Sequence, residues 1–164
     1  MNDICITKDI LFDSQILRSP IPKTIVQTSR HGIPQYVINM IRELSSEWNY
    51  THFNDTEIIQ FFKDNPIDEF PNMSEKFYSP SYGEHRADLF RYYYLYVKGG
   101  VYIDSDAMIE VNIEDIVKDY DFFSVNSSYY PGTIFQGFIG CTPGNKIIYE
   151  ALKDIYHTSN ERLM

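Results

Sequence analysis

Two Asp-x-Asp tripeptides, Asp104-Ser105-Asp106 and Asp119-Tyr120-Asp121, are the residues here whose type and spacing suit metal or phosphate chemistry. With 13 Asp in 164 residues, chance alone supplies about one such tripeptide, so context must separate them. Asp104 follows directly on the apolar run Val101-Tyr102-Ile103, and its carboxylate is expected at the carboxyl end of a buried strand, the edge where open α/β sheets bind ligands. Asp119 precedes its strand and is expected at the opposite edge, in a solvated turn. Two carboxylates at a strand end suit Mg²⁺ or Mn²⁺, which take one or two carboxylates plus waters and substrate phosphates. A calcium loop starting at Asp104 fails at three positions, where Met108, Ile109 and Asp115 stand in place of a ligand, the glycine and the bidentate glutamate.

The helix that must precede this strand adds charge. From Ala87 to Val97 it is apolar or aromatic all round except for Asp88 and Arg91, so both charges are expected to be largely buried and to need partners. An i,i+3 ion pair between the two is the simplest partnership. The spacing predicts more. After a tight Gly99-Gly100 reversal the strand runs back along the helix, so Arg91 lies about 10 Å before the turn and Asp104 about 13 Å after it, at 1.5 and 3.3 Å per residue. Asp88, Arg91, Asp104 and Asp106 are therefore expected around one cavity, able to hold a cation, a diphosphate and sugar hydroxyls.

The elements that carry these residues read as an α/β layered domain. Strands are expected at 24–28, 48–53, 101–103, 121–125 and 133–139. Helices are expected at 34–46, from the capping pair Asn54 and Glu57 through Phe62, at 84–98, 113–117 and 145–157. Ile147, Ile148, Ala151, Leu152 and Ile155 are expected on the packed face of the last. Residues 66–83 read as a loop with one helical turn near 75–78. Residues 1–20 read as an N-terminal extension and 21–164 as the domain.

Composition narrows the function. A net charge of -9, spread over both halves, argues against phosphate backbones and anionic membranes as partners. The charge-free run Phe122–Asn145 is broken by Pro131, Pro143 and four glycines, so it is not a membrane span. Charges at Asp3, Lys8, Asp9 and Asp13 stand where a secretory signal needs an apolar stretch, and Cys5 and Cys141 have neither disulfide-framework nor metal-ligand spacing, which together predict a chain kept in the reducing cytoplasm. Aromatics make up 16%, with 14 Tyr, and are expected mainly in packing. His31, His52, His85 and His157 show no ligand spacing, although His85 shares a helix face with Asp88. Trp48 is expected in the core.

The stretch Ala87-Asp88-Leu-Phe-Arg91 through Gly99-Gly100-Val-Tyr-Ile-Asp104-Ser-Asp106 resembles the sugar-binding region of the DXD-containing glycosyltransferases, the group that includes glycosyltransferase family 32 and the large glucosylating bacterial toxins. Ile21-Pro22-Lys23-Thr24-Ile25-Val26-Gln27-Thr28, Gln136-Gly137-Phe138-Ile139 and Thr142-Pro143-Gly144-Asn145 resemble the group's opening strand, later strand and final helix start. The resemblance covers about residues 21–155. It implies a Rossmann-related GT-A fold with a central, mainly parallel sheet, a UDP- or GDP-hexose donor, Mn²⁺ or Mg²⁺, retention of anomeric configuration and a glycan or protein acceptor. It also implies that Asp104 contacts ribose and metal, Asp106 is the direct metal ligand, Asp88 and Arg91 hold the donor sugar, and Gln27 and Thr28 approach the base. Such domains continue past the last motif seen here, so a minimal or C-terminally shortened domain is expected. Two other readings remain: a dehalogenase-type phosphotransferase with Asp104 as nucleophile, which wants Thr or Val where Met108 stands, and a nucleotide-sugar-binding module without turnover.

Overall fold

The computed structural model describes residues 21–79, 85–117 and 120–158. The expected N-terminal extension, Cys5 and Asp119 lie outside the described residues. Among the described residues, five strands form one mixed sheet in the order β2-β1-β3-β5-β4, comprising β1 (Thr24–Thr28), β2 (Asn49–Phe53), β3 (Gly100–Ile103), β4 (Phe122–Asn126) and β5 (Ile134–Cys141). β1 pairs in parallel with both β2 and β3, and β5 is the single reversed strand, antiparallel to β3 and β4. The mainly parallel sheet read from the sequence is therefore present, with an antiparallel strand inserted beside its centre.

Helices cover both faces. α1 (Gln35–Leu44) and α5 (Ile113–Val117) lie on one, against Ile25, Val101, Ile103 and Phe138. α2 (Asp55–Asp64), α3 (Met73–Tyr78), α4 (Arg86–Lys98) and α6 (Lys146–His157) lie on the other, against Val26, Tyr102, Ile139 and Cys141. Neighbouring strand residues thus feed opposite cores, as the two-residue period of a strand requires. Among the described residues, no helix is long and apolar enough to cross a membrane.

Local chemistry sets most boundaries. Asn54 accepts from the Glu57 N–H at 3.0 Å while Glu57 accepts from the Asn54 N–H at 2.8 Å, and this reciprocal box starts α2. The helix runs to Asp64, two residues nearer Pro66 than its apolar pattern suggested. α3 starts at Met73, two residues before the expected turn, and Asn72 ahead of it has a φ of 60°. In α6, Asn145 accepts from the N–H groups of Ile147 and Ile148. Ile147, expected on the packed face, is 55% exposed, and Tyr156 takes the buried position instead with its hydroxyl on the Pro71 carbonyl.

α4 is the central helix, buried continuously from Leu89 to Leu95. Its Tyr93 and Tyr94 rings pack edge-on against Phe53, Phe61 and Phe62, and the Tyr93 hydroxyl finds the Asn65 carbonyl at 2.6 Å. Tyrosine abundance therefore reflects rings in the core with hydroxyls that reach partners. The turn from α4 into β3 uses two positive φ angles, 67° at Gly99 and 103° at Gly100. A Cβ at Gly99 would meet the Cys141 carbonyl at 2.8 Å, and one at Gly100 would meet the Thr24 carbonyl at 2.7 Å. Only glycines allow both the geometry and the close approach.

Candidate functional site

The chain leaves β1 outward to β2 and returns to β3 on the other side of β1. The carboxyl ends of β1 and β3 thus flank a topological switch point, where an α/β sheet opens a crevice. Gln27 and Thr28 end β1, and Asp104 follows β3. Gln27 is fully buried, and its amide spans the gap: Nε2 donates to the Asp104 carbonyl at 3.1 Å, while Oε1 accepts from the Tyr50 hydroxyl at 3.0 Å. Both polar ends are occupied by protein. Thr28 Oγ1 lies 2.9 Å from the Tyr102 hydroxyl and also lines a small cavity with Ser29, Arg30, Asp55 and Arg86.

Asp104 to Ala107 is a tight turn closed by the Ala107 N–H on the Asp104 carbonyl at 3.0 Å. That carbonyl therefore accepts twice, which fixes the strand end. The Asp104 side chain accepts from Arg91 Nη2 at 2.7 Å, and Arg91 Nη1 reaches Asp88 Oδ1 at 2.9 Å. Asp88 Oδ2 in turn lies 3.1 Å from His85 Nδ1. The level match expected across the Gly-Gly reversal holds, and the expected Asp88–Arg91 pair becomes part of a longer chain from His85 to Asp104.

Arg91 is 3% exposed, with its guanidinium 4.5 Å above the Tyr102 ring and its Nε without a hydrogen-bond partner. Burial opposes its charge, but Tyr102, Asp104 and Asp88 outweigh burial and hold its pKa above the ordinary arginine value. Asp104 moves the other way. Burial raises its carboxyl above the usual range, Arg91 opposes this, and the charges of Asp106 and Asp88 add to the rise.

Asp88, Arg91 and Asp104 line one open cleft of about 540 Å³, bordered on its far side by Tyr129, Tyr130 and Gln136. Asp106 departs from the expected arrangement: it stands exposed on the turn, outside the cleft lining, and reaches the group through its charge on Asp104. The turn explains this, since it carries the chain outward straight after Asp104. Among the described residues, no three His, Cys, Asp or Glu side chains come together closely enough to hold a metal unaided. Two carboxylates one residue apart still fit a Mg²⁺ or Mn²⁺ site whose other ligands are waters and substrate phosphates.

The sequence marked Gln136–Ile139 as a strand motif but did not place it, or Tyr129 and Tyr130, at the site. Pairing between β4 and β5 steps from Ser124↔Ile139 to Val125↔Phe135, so Gln136, Gly137 and Phe138 bulge out of that ladder. The Ser124 hydroxyl bonds the carbonyls of Phe135 and Phe138 at 3.1 and 3.0 Å. The bulged segment turns instead to β3 and α4: the Gly137 carbonyl accepts from the Asp104 N–H at 2.8 Å, and Gln136 Oε1 accepts from the Tyr92 hydroxyl at 2.7 Å. A Cβ on Gly137 would collide with the Asp104 carboxylate and the Phe135 ring. The apolar pairs Ile134-Phe135 and Phe138-Ile139 read as one strand and concealed this irregularity, because a bulge has no period of its own.

The remaining candidates take structural places. Trp48 is buried, with its indole N–H on Glu114 at 3.0 Å, His31 and His157 are exposed, and His52 lies 3.2 Å from Ser29 Oγ. Asp121 is exposed before β4, its carbonyl accepting from Thr142 and Asn145, at the sheet edge opposite Asp104. Burial pushes the Cys141 thiol up to about 12.

Residues 34–123 match the family model described as glycosyltransferase sugar-binding region containing DXD motif. Two mannosyl phosphorylinositol ceramide synthases of Saccharomyces cerevisiae are 28% identical over 153 residues and 27% identical over 161 residues. Those alignments cover 89% and 96% of this chain but 39% and 40% of the yeast proteins, so the chain spans about two fifths of their length. The solved structure of PaToxG glycosyltransferase superposes with a TM-score of 0.58 at 14% identity, over 88% of this chain and 65% of that one, a likeness of fold.

Proposed function

Because the chain belongs to the glycosyltransferases whose sugar-binding region contains a DXD motif, we propose that it is a metal-dependent, retaining hexosyltransferase using a UDP- or GDP-sugar. The observation that carries this reading is the chain His85–Asp88–Arg91–Asp104 at the carboxyl end of a central strand, with ion-pair distances of 2.9 and 2.7 Å on either side of a buried guanidinium. Asp88 and Arg91 take the donor sugar: the carboxylate accepts from hydroxyls, while the guanidinium donates in a fixed plane, pre-oriented by Tyr102 beneath it. Asp104 faces the ribose and, with Asp106, holds Mn²⁺ or Mg²⁺. When bound, that ion neutralises charge developing on the leaving diphosphate. Gln27 acts through Asp104, whose carbonyl it clamps, and Thr28 lies toward the base. The mannosyl product in the yeast relatives' names makes mannosyl donors the first to test.

Asp106→Asn keeps the side chain's shape and removes its charge. In Mn²⁺, calorimetry with UDP and GDP is expected to show binding to the parent and its collapse in the variant. Equal affinity in both would remove Asp106 from the metal site. The exposed place of Asp106 outside the cleft favours one second reading, a donor-binding module without turnover. Slow, metal-dependent release of free sugar from the donor supports the transferase, and binding without release across a donor panel supports the module.

A further inference from the structure

Two tyrosines on the far wall of the cleft take no part in packing the fold. Tyr129 is 88% and Tyr130 72% exposed, more than any other large apolar side chain among the described residues, and both stand outside the two cores. Adjacent bare rings at the mouth of a cleft mark a surface that binds. The backbone beneath them is nonetheless fixed. Ser127 Oγ accepts from the N–H groups of Tyr129 and Tyr130 at 3.3 and 3.2 Å, and the Tyr130 carbonyl accepts from the Thr133 N–H and hydroxyl at 3.1 and 2.7 Å. The Ser127 N–H on the Thr133 carbonyl, at 2.9 Å, closes the turn. A turn tied in this way presents its rings in one place, so little order is lost when a ligand settles on them. Both rings line the cleft that holds Asp88, Arg91 and Asp104, from the side opposite those charges. Beside the rings, Gln136 gives its Oε1 to Tyr92, which leaves its amide N–H donors for a ligand, and Thr133 Oγ1 can still accept. The wall itself carries no charge, since it lies within the run Phe122–Asn145.

From this fixed pair of rings we infer that Tyr129 and Tyr130 form a stacking platform for the pyranose ring of a carbohydrate acceptor. The inference rests on the transferase reading and adds the class of acceptor. A pyranose presents a face of C–H bonds and a rim of hydroxyls. The slightly positive C–H bonds lie against the electron-rich faces of the tyrosines, while the rim meets the Gln136 N–H donors and Thr133 Oγ1. An open-chain polyol carries the same hydroxyls without such a face, and an ionic acceptor finds no opposite charge on this wall. Asp88, Arg91 and Asp104 stay with the donor, so the two sugars occupy opposite walls of one cleft.

The test titrates the full chain with the methyl pyranosides of glucose, mannose and galactose, and with the matching open-chain alditols, by saturation-transfer NMR. Each titration is run with and without Mn²⁺ and UDP or GDP. At least one pyranoside is expected to bind, with transfer concentrated on the C–H protons of one ring face, and the alditols are expected not to bind. Losing a stacked face is worth about tenfold in affinity, so Tyr129→Ala with Tyr130→Ala is expected to weaken that pyranoside at least ~10-fold. Tyr129→Phe with Tyr130→Phe keeps both faces and is expected to stay within about twofold of the parent. If the alanine pair loses its cooperative melt, Tyr129→Ala alone is read in its place, with a weakening of at least ~3-fold expected. The inference is overturned if no pyranoside binds, if an alditol binds equally well, or if the folded alanine variant keeps the parent's affinity. It is also overturned if that variant loses UDP or GDP and keeps the pyranoside, which would give the rings to the base. A dimer of the parent that the same substitutions dissociate overturns it too, by making a second copy the occupant. Nucleotide binding without a pyranoside overturns this inference alone, whereas a pyranoside on the tyrosines without nucleotide binding overturns the transferase reading and leaves a carbohydrate-binding surface.

Discussion

Arg91 sits where desolvation should forbid a charge, and its two carboxylates keep it there. Replacing it with Met removes the charge but leaves Asp88 and Asp104 facing each other beside an apolar side chain. The expected cost at neutral pH is about 3–5 kcal/mol. Adding Asp88→Asn is expected to restore only part of this, because Asp104 stays uncompensated, and the triple variant with Asp104→Asn is expected to restore most of it. The cost also depends on pH. The Asp104 carboxyl is already raised in the folded protein, and losing Arg91 raises it further. A carboxyl raised on folding gives stability that is complete below its unfolded value and lost as pH rises through the folded one. The deficit of Arg91→Met should therefore shrink as pH falls toward the ordinary aspartate range. Urea denaturation from pH 4 to 7 measures it, and a deficit that grows on acidification contradicts this account.

The turn between α4 and β3 carries as much of the site as any side chain. Gly100→Ala forces an L-residue to a φ of 103° and drives a methyl group against the Thr24 carbonyl, which belongs to the paired neighbour strand and cannot rotate away. A loss of at least about 2 kcal/mol is expected, with Asp104 displaced from Arg91. Asn54→Ala, which removes one half of the α2 capping box, is expected to cost about 1 kcal/mol and leave nucleotide binding unchanged. Thermal melts with nucleotide titrations separate the two, and an unchanged midpoint in Gly100→Ala would refute the steric argument. These elements were legible in the sequence because each rests on local chemistry: a cap at Asn54, a glycine pair after an apolar helix, Asp104 directly after a buried run. The bulge at Gln136–Phe138 and the exposed place of Asp106 were not. The bulge depends on how one strand lies against another, and single-chain periodicity does not record pairing register. The exposure of Asp106 follows from the turn closed by the Ala107 N–H on the Asp104 carbonyl, which the Asp-x-Asp spacing alone does not reveal.

At the scale of the molecule, one sheet separates two cores, and its strands feed both. Ile25 and Val26 are adjacent in sequence yet belong to opposite cores, as do Val101 and Tyr102. Neither core can be lost without stripping one face of β1 and β3, so the described residues are expected to unfold in one cooperative transition. Calorimetric and van't Hoff enthalpies should agree, and two resolved transitions would show that the faces melt separately. The slipped pairing between Ser124 and Phe135 works against this tight coupling at one place. Below the slip, Phe138 pairs with Ile103, and the Gly137 carbonyl holds the Asp104 N–H. Above it, β4 and β5 pair in a new register as far as Asn126↔Ile134, beyond which lies the Tyr129–Tyr130 tip. The tip can therefore change length or sequence without transmitting a shift in frame to Asp104. The hairpin is in that sense an exchangeable cartridge, free to vary beyond the slip while the Arg91–Asp104 pair keeps its place.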